Sequence, residues 1–476
     1  MFSAASAFPA GAAPSIYSTV ARMVDISMSD PDDPGCECAD ILVLGGIIVT
    51  MDERRTIMPD GALALRGESI LAIGPRAQIV ARYSAATIVD AEGCLVIPGL
   101  IDAHTHIPMT LFRGLADDLP LHTWLERHVW PAEHRFINPE TVRWASRLGV
   151  AELLRSGVTT LCDMYFYEGE VAAVVDELGM RGVLANAHFD VTNASAIDRT
   201  LAEAEQFVAR WRGHSRIVSA LGPHAPYTVG PELYRRLHAL AERLDILVVT
   251  HLAETQEEDR DIRRLYGRSP VRHLENLGLV DARLVAAHCV WVDAQEIELL
   301  AAARSGVVHS PRSNLKLASG IAPVPDMLRA GVLVGLGTDG AASNNGLDLL
   351  AEIQMAALVH KGVRLDPLAV PAAAALEMAT IGGARALKLD HLVGSLEPGK
   401  RADVVIINLD EDNLVPLYDP VSHLAYAVET ADVRTVIVDG RIVLRDGVLT
   451  TADEREIRRQ VRALATGIGS FRTGAS

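Results

Sequence analysis

His104 and His106 stand two residues apart in the segment IDAHTH, and two further candidate ligands follow much later in the chain. Alternate residues of a β-strand point to the same side, so a strand through this segment would present both imidazoles on one face. His251 in VTHLAET and Asp339 in GLGTDGAASNN add an imidazole and a carboxylate. A mononuclear catalytic zinc site takes about three nitrogen or oxygen ligands plus water, and some sites add a carboxylate. We therefore predict that these four residues hold a metal ion.

Polar side chains also recur at or just past the ends of short apolar runs. In chain order they are His104, Asp163, His188, His224, His251, His288, Ser310 and Asp339. A single histidine in a strand is more often a structural residue than a ligand. In a barrel of parallel strands, however, the carboxyl ends of all the strands meet at one face, where catalytic groups gather. The recurrence favours a shared active-site face over unrelated positions.

The apolar runs alternate with amphipathic stretches. The runs are LVIPGLIDAHTH, GVTTLCDM, GVLANAHFD, IVSALGPHAP, ILVVTHLAE, LVAAHCV, GVVHSPRSN and VLVGLGTDG. Between them, stretches such as PELYRRLHALAERLD carry apolar residues at three- and four-residue intervals, which is typical of helices. Alternating strands and helices imply parallel strands, and a (β/α)₈ barrel typically needs about 250 residues. We predict an α/β fold with a TIM-type (β/α)₈ barrel over residues 95–394, which carries the metal site.

A smaller β domain is predicted from both ends of the chain. Short strand-like segments fill residues 39–94. The same pattern of short strand-like segments recurs over residues 395–450, in GKRADVVIINLD and VRTVIVDGRIVLRDG. One β-sandwich with the barrel inserted between its two parts accounts for both. Residues 1–38 show no sustained period and are predicted to form an unpatterned extension. Residues 451–476 are predicted to form a C-terminal helix and tail.

Composition narrows the classes of partner. The 476 residues include 44 basic and 61 acidic ones, and the net charge of −17 repels polyanions, so nucleic acid is not expected as a partner. Five cysteines without a dense paired pattern indicate a reducing compartment, hence a cytoplasmic location. No segment approaches the roughly 18 to 20 apolar residues that a membrane span needs. The composition is compatible with a small-molecule ligand.

Four motifs in this order, PGLIDAHTH, THLAET, AAHC and GTDGAASNN, resemble those of the amidohydrolase superfamily, in the branch of deaminases that act on nitrogen heterocycles. GPHAPYT and SNLKLASGIAPVPDML are similar to the group of S-adenosylhomocysteine and 5′-methylthioadenosine deaminases. The resemblance covers residues from about 39 to 447. It implies a zinc-dependent aminohydrolase that removes the amino group of an adenosine-type nucleoside, releasing ammonia and the inosine-type product.

The resemblance also implies a role for each matching residue. His104, His106, His251 and Asp339 match the metal ligands, and Asp339 additionally takes a proton from the attacking water. Glu254 matches the glutamate that exchanges protons with the ring, and His288 matches a histidine beside the attacking water. Residues that approach the nucleoside in these relatives are matched by Glu133, Arg199 and His224, besides Glu254 and Asp339. Binuclear relatives carry a lysine where this chain has His224, so one Zn²⁺ per subunit is expected, with Fe²⁺ as the alternative because the same ligands suit it.

Two features leave the substrate open. Relatives that accept the homocysteine tail clamp its carboxylate with arginines, whereas here only Arg199 falls at a suitable position and Asn186 occupies the other. A single arginine weakens such a clamp, which favours methylthioadenosine, adenosine or another uncharged analogue. Triazine hydrolases and guanine or pterin deaminases would use the same ligands, and a non-catalytic scaffold would have lost them. Relatives often form homo-oligomers, which is the expectation for this chain's own assembly.

Overall fold

The computed structural model of the protein describes residues 37–189 and 194–474. The predicted extension lies outside these ranges except for residues 37 and 38, which begin the first strand. The strands of the described residues are, in chain order, β1 (Glu37–Leu44), β2 (Ile47–Val49), β3 (Ile57–Met58), β4 (Gly61–Arg66), β5 (Ser69–Pro75), β6 (Tyr83–Asp90), β7 (Cys94–Pro98), β8 (Leu100–His106), β9 (Val158–Tyr165), β10 (Arg181–His188), β11 (Ile217–Pro223), β12 (Val248–Leu252), β13 (Leu284–His288), β14 (Gly306–His309), β15 (Leu333–Leu336), β16 (Asp339–Gly340), β17 (Val404–Asn408), β18 (Val433–Val438), β19 (Arg441–Arg445) and β20 (Val448–Leu449).

Helices occupy most of the connections between the barrel strands. The α-helices of all the described residues, in chain order, are α1 (Arg76–Arg82), α2 (Leu121–Trp124), α3 (Trp130–Phe136), α4 (Pro139–Arg155), α5 (Glu168–Leu178), α6 (Ala194–Trp211), α7 (Pro231–Leu244), α8 (Gln256–Tyr266), α9 (Pro270–Asn276), α10 (Ala294–Ala302), α11 (Pro311–Lys316), α12 (Val324–Ala330), α13 (Leu349–Arg364), α14 (Ala372–Met378), α15 (Ile381–Ala386), α16 (Pro420–Tyr426) and α17 (Glu454–Gly474). None of the helices in the described ranges combines the length and the apolar character that crossing a bilayer requires.

The segments β8 to β16 form one parallel sheet that closes on itself. Neighbours along the chain pair from β8 to β15, and β16 returns to pair with β8 through Asp339 opposite Thr105. Since β15 and β16 are separated only by Gly337 and Thr338, they are two halves of one interrupted strand, which completes eight strand positions. A Cβ atom on Gly337 would lie 2.9 Å from the Cβ of His104, so this close approach requires glycine. The predicted TIM-type barrel is confirmed, and each predicted apolar run contains a barrel strand.

The helices pack one apolar face on the barrel, as their sequence period indicates. Helix α7 buries Leu233, Tyr234, Leu237 and Leu240, which recur at one-, three- and three-residue steps along one side. Helix α8 begins after Thr255, whose side chain accepts the backbone N–H of Glu258. These local signals determine where each helix starts. They therefore also determine the position of the residues at the end of the preceding strand.

The smaller domain is a sandwich of two sheets that uses both ends of the chain, as predicted. One sheet has the order β5-β4-β1-β6, and the other has the order β20-β19-β18-β17-β7-β2-β3. Strand β17 pairs antiparallel with β7, so the C-terminal part completes a sheet begun by the N-terminal part. The sheet includes β7 up to Pro98, immediately before the first barrel strand. Apolar side chains from both parts fill the space between the sheets.

A buried ion cluster joins the two domains at the amino-terminal end of the barrel strands. Arg181, the first residue of β10, is only 1% exposed and pairs with Asp403 and Asp439 of the sandwich. Its Nη1 also donates to the backbone carbonyl of Ser215 at 3.1 Å. Burying these charges without partners would be costly, so the cluster fixes the position of the sandwich relative to the barrel.

One continuous helical segment covers the carboxyl ends of the strands. It runs through α2, a π-helical turn at Leu125–Val129 and α3, and we call it the cap helix. In the π turn, the N–H of Trp130 donates to the carbonyl of Leu125, five residues earlier. The C-terminal helix α17 packs against α4 and the 107–112 segment, and it is anchored where Glu454 pairs with Arg155 at 2.6 Å.

Candidate active site

The four predicted metal ligands converge at the carboxyl ends of the barrel strands. One ligand atom from each of His104, His106, His251 and Asp339 lies within 4.8 Å of the others, and all four residues are buried. Oδ1 of Asp339 lies 3.1 Å from Nε2 of His106 and 3.5 Å from Nε2 of His104. Nε2 of His106 lies 3.2 Å from Nε2 of His251. Three imidazoles and a carboxylate facing one point form a suitable donor set for a divalent metal ion.

Backbone carbonyls orient two of the imidazoles. Nδ1 of His106 lies 2.6 Å from the carbonyl of Met164, and Nδ1 of His251 lies 2.9 Å from that of His224. A carbonyl only accepts hydrogen bonds, so Nδ1 carries the proton in both rings and Nε2 offers its lone pair to the centre. Both ring nitrogens of His104 are buried without a hydrogen-bond partner among the described residues. Because such unpaired nitrogens are costly, this ring in particular fits a metal ligand.

Asp339 is held by its own turn. It has a φ of 59°, an unusual conformation for a residue other than glycine, and lies where the eighth strand is interrupted. Its Oδ2 accepts hydrogen bonds from Ser313 at 2.5 Å and Ser343 at 2.9 Å, which leaves Oδ1 for the imidazoles. Burial alone would raise the pKa of Asp339, but the contacts with His104 and His106 outweigh it and hold the pKa well below its usual range. The residue is therefore an anion, as a metal ligand should be.

Glu254 lies beside the ligand set with its carboxyl group turned into the site. Its side chain is 5% exposed, Oε2 lies 3.7 Å from Nε2 of His288, and Oε1 accepts from Ser319 at 3.3 Å. Burial, reinforced by the negative charge of Asp339, raises the pKa of Glu254 to about 8. Near neutral pH this carboxyl group retains a proton that it can donate.

His288 is oriented by an amide. Nδ2 of Asn314 lies 3.0 Å from Nδ1 of His288 and donates to it, so the ring proton resides on Nε2, on the side of Glu254. Burial lowers the pKa of His288 to about 4, and the ring is neutral at pH 7. A neutral imidazole with its N–H facing the site can donate a hydrogen bond to an oxygen atom there.

Three of the four ligands, His106, His251 and Asp339, line a cavity. Its walls are mostly apolar and aromatic, with a few polar groups on the metal side, which is typical of a small-molecule site. The lining residues outside the ligand set include Met109, Leu121, Trp124, Leu125, Val129, Trp130, Glu133, Met164, Tyr165, Phe166, Ala187, Phe189, His224, Tyr227, Glu254, His288, Leu317 and Ser343. The cap helix therefore forms one wall of the cavity.

His224 and Glu133, both predicted to approach a substrate, line this cavity. The ring of His224 stacks on Phe189 with centroids 4.6 Å apart. Its Nδ1 lies 2.8 Å from the Thr228 hydroxyl, which itself donates to the carbonyl of Ala225, so Nδ1 donates and Nε2 is left as an acceptor. Glu133 accepts from the hydroxyl of Tyr165 at 2.5 Å, and burial raises the pKa of Glu133 to about 7.

A wider groove adjoins the cavity and shares four of its residues, Trp130, Glu133, Phe166 and Phe189. We call it the outer groove. Its other lining residues are Glu126, Pro131, His134, Ile137 and Tyr167. Among the described residues, neither lysine nor arginine lines it. A substrate with its reacting ring at the metal site would therefore extend into an aromatic and weakly acidic groove.

Arg199 is not placed at the cavity. It is exposed on α6 and lines neither the cavity nor the outer groove. Asn186 faces away as well, because its Oδ1 accepts the N–H of Glu168 at 3.2 Å while its neighbour Ala187 lines the cavity. A carboxylate clamp formed by these two positions is thus not present in this arrangement. Alternation along β10 explains Asn186, and the outward face of α6 explains Arg199.

Several residues that support the site escaped the sequence analysis. Glu258 accepts the N–H groups of Ala253 and Glu254 at 3.0 and 2.8 Å. Tyr165 joins the wall through Glu133. The residues Ser313, Asn314, Ser319 and Ser343 bond to the proposed catalytic and ligand side chains. Ser313, Asn314, Ser319 and Ser343 fall inside the motifs SNLKLASGIAPVPDML and GTDGAASNN, which was the available signal, whereas no motif pointed to Glu258 or Tyr165.

Comparison with known proteins agrees with this geometry. The amidohydrolase family model matches residues 95–443. The chain is 44% identical over 436 residues to a 5-methylthioadenosine/S-adenosylhomocysteine deaminase of Syntrophobacter fumaroxidans, covering 91% of this chain and 99% of that protein. A zinc-bound adenosine deaminase structure from Xanthomonas campestris superposes with a TM-score of 0.89 at 39% identity, covering 91% of this chain and 100% of that one.

A more distant structure marks the range of chemistry on this fold. A zinc complex of atrazine chlorohydrolase from Arthrobacter aurescens TC1 has a TM-score of 0.83 at 26% identity and covers 89% of this chain and 100% of that one. The family model spans more than half of the chain, and the close relative aligns over nearly its whole length. The chain therefore belongs to the amidohydrolase family.

Proposed function

We propose that the protein is a zinc-dependent hydrolase that deaminates adenosine-type nucleosides. The observation that carries the proposal is the position of Glu254, a buried carboxyl group 3.7 Å from Nε2 of His288 and beside a buried donor set of three imidazoles and one carboxylate. Relatives named as adenosine and 5-methylthioadenosine/S-adenosylhomocysteine deaminases support the substrate class. An aromatic cavity above the donor set offers room for a flat ring.

His104, His106, His251 and Asp339 would hold a single Zn²⁺, with Fe²⁺ as the alternative. When bound, such an ion lowers the pKa of a coordinated water toward about 7 and makes hydroxide available near neutral pH. The chain's own groups perform the remaining tasks. Asp339, an anion, accepts one proton of the water as its oxygen adds to the amino-bearing ring carbon. Nε2–H of His288 holds that oxygen in place.

Glu254 donates its proton to the ring nitrogen adjacent to the attacked carbon, so negative charge does not accumulate on the ring. The C–N bond to the amino group then breaks. The proton held by Asp339 leaves with ammonia, and the remaining hydroxyl proton returns to Glu254. One water is consumed, its oxygen becomes the ring carbonyl, and both carboxyl groups regain their initial protonation states.

The outer groove favours an uncharged substituent on the ribose. Its lining is aromatic and carries Glu126 and Glu133, so the carboxylate of a homocysteine tail would find neither lysine nor arginine among the described lining residues. 5′-Methylthioadenosine and adenosine are therefore the proposed substrates, ahead of S-adenosylhomocysteine.

Ammonia release by the zinc-loaded protein tests the proposal. The panel contains adenosine, 5′-methylthioadenosine, S-adenosylhomocysteine, guanine and an aminotriazine. Turnover of the adenosine-type compounds with loss of adenine absorbance is the expected result, with the methylthio compound preferred over the homocysteine compound. Activity confined to guanine or the triazine would keep the metal site but overturn the proposed substrate class. A chain without stoichiometric metal and without turnover of any compound would overturn the proposal as a whole.

A further inference from the structure

A pair of buried carboxyl groups, Asp163 and Glu168, lies beneath the cavity and takes no part in the mechanism above. Both side chains are 0% exposed, and the two carboxyl groups are close enough to share a proton. Asp163 belongs to β9, beside Thr105 of β8 in the sheet register, and Glu168 is the first residue of α5. Such a pair, fully removed from water and adjacent to the metal site, calls for a structural reason.

Each carboxyl group holds a backbone N–H next to His106 or to the carbonyl that orients it. Oδ1 of Asp163 accepts the N–H of Ile107 at 2.6 Å, which is the peptide immediately after His106. Oε1 of Glu168 accepts the N–H of Tyr165 at 2.8 Å, which belongs to the same peptide unit as the Met164 carbonyl. That carbonyl is the one that accepts Nδ1–H of His106.

With one proton shared between Asp163 and Glu168, these contacts form a closed circuit of hydrogen bonds. It runs from the His106 ring to the Met164–Tyr165 peptide, then to Glu168, Asp163 and back to the peptide after His106. The remaining oxygens, Asp163 Oδ2 and Glu168 Oε2, are buried without any other donor among the described residues. One proton between the two carboxyl groups satisfies both oxygens, and burial correspondingly raises the pKa of Glu168 well above its usual range.

The chain conformation before α5 directs Glu168 into this position. Tyr167 has a φ of 56°, in the left-handed region that a tyrosine rarely occupies. The same turn places the N–H of Glu168 on Oδ1 of Asn186, so the glutamate is fixed from both the β9 and the β10 side. An unfavourable backbone conformation that is maintained by surrounding contacts is common where a site must be held rigidly.

We propose that the Asp163–Glu168 pair is a positioning device that fixes both the backbone and the imidazole of His106 for metal binding. Because the circuit constrains His106 on two sides, its loss lets the ring rotate away from the direction shared with His104, His251 and Asp339. Outer hydrogen-bond partners of metal-binding histidines typically contribute about 10- to 100-fold in metal affinity. The inference rests on the proposed metal site but makes a separate claim about residues that touch neither metal nor substrate.

The test compares zinc affinity, measured by competition with a chromophoric chelator, in Glu168→Ala and Glu168→Gln. The glutamine variant keeps an acceptor for Tyr165 and a donor for Asp163, so its affinity should stay within about threefold of the wild type. The alanine variant loses both contacts and should bind zinc about 10- to 100-fold more weakly. The absorption bands of the Co²⁺-substituted protein should shift in the alanine variant and not in the glutamine variant, since they report the ligand geometry.

Glu296 provides a matched control. It is 1% exposed, accepts a backbone N–H from Asp293 at 2.8 Å and a hydroxyl from Ser269, and lies outside the cavity lining. Glu296→Ala should lower the thermal midpoint without changing zinc affinity, which separates a stability effect from a positioning effect. If Glu168→Ala does not fold, Glu168→Asp retains the carboxyl group, shortens the side chain by one methylene and should give a smaller loss of affinity.

Equal zinc affinity in folded Glu168→Ala, Glu168→Asp and wild-type protein would overturn the positioning role. An equal loss in the glutamine and alanine variants would overturn it too, because glutamine preserves the hydrogen bonds. Absence of stoichiometric zinc in the wild type is a different result, which would overturn the proposed function together with this inference.

Discussion

Oε2 of Glu258 accepts the backbone N–H of Glu254 at 2.8 Å, so one buried carboxyl group fixes the main chain of another. Its Oε1 accepts the N–H of Ala253, which has a φ of 51°. The turn after β12 thus depends on a helix residue four positions beyond Glu254. The two residues therefore have different roles: Glu254 would transfer protons, and Glu258 would only position Glu254.

Replacing Glu254 by glutamine should abolish most of the deaminase activity and leave the metal site intact. The amide is nearly isosteric but cannot donate a proton to the ring nitrogen, and general acid–base groups typically contribute about 10²- to 10⁴-fold. We expect a loss of this size in kcat by ammonia release, with zinc content unchanged by elemental analysis. Near wild-type turnover in a zinc-replete variant would contradict the proton-donor role.

Replacing Glu258 by glutamine should have a smaller effect of a different kind. The change replaces one of the two accepting oxygens by an NH₂ group that faces a backbone N–H, so a buried hydrogen bond is lost at a cost of about 1–3 kcal/mol. Because Glu258 touches neither ring nor metal, we expect kcat to fall roughly 10-fold with KM nearly constant. An increase in KM alone would show that the turn positions the substrate rather than Glu254.

Activity should decline in alkaline solution because the proton donor is lost. Burial raises the pKa of Glu254 to about 8, so the protonated form dominates at pH 7 and disappears as the pH rises through that value. We expect kcat/KM to be level near neutrality and to fall about tenfold per pH unit well above pH 8. The profile should be recorded with zinc content verified at each pH, and a rise in activity through pH 8 would contradict the assignment.

A cation introduced into the outer groove should shift the preference toward the charged tail. Glu126 is exposed and lines the groove, so Glu126→Arg replaces an anion by a cation without disturbing the core. We expect kcat/KM for S-adenosylhomocysteine, relative to 5′-methylthioadenosine, to rise about 3- to 10-fold, as a partly exposed charge-assisted contact allows. Glu203→Arg makes the same charge change at an exposed position on α6 and should leave the ratio unchanged.

Removing Arg181 should destabilise the protein without affecting its chemistry. Arg181→Met removes the cation shared by Asp403 and Asp439 and leaves only Arg401 near Asp439, and breaking a buried pair typically costs about 3–5 kcal/mol. We expect a lower thermal midpoint of the metal-loaded protein and an unchanged kcat, since Arg181 lies at the end of the strands opposite the cavity. Adding Asp403→Asn and Asp439→Asn should recover part of the loss.

The barrel and its ligands could be predicted because their signals are local. Each barrel strand is an apolar run, and the strand ends place His104, His106, His251 and Asp339 at one face whatever the loops do. The supporting contacts are different, because they depend on turns. Glu258, Glu168 and Asp339 reach their partners through residues with positive φ, and no pattern in the sequence specifies which distant N–H group each will meet.

Arg199 is the opposite case, a residue for which the sequence suggested a contact that the structure does not show. Its position in the sequence suggested a contact with the substrate, but a helix turns each successive residue by about 100°, and α6 presents this one outward. Glu133, by contrast, was chosen on an equally short motif and does line the cavity. Arg199 and Glu133 differ because each helix packs a different face on the barrel. Which face that is depends on the whole helix, and a short motif does not specify it.

The π turn in the cap helix determines which of the residues after it face the cavity, and it does so independently of the barrel strands that hold the metal ligands. It contains one residue more than an α-helical turn, and the residues beyond it, including Trp130 and Glu133, face the cavity in that register. Deleting a single residue there would rotate everything that follows by about 100° and exchange the wall over the substrate, while the barrel strands that hold the ligand set stayed in place. Substrate choice in this architecture can therefore change by insertion or deletion in one turn, without any substitution at the metal centre.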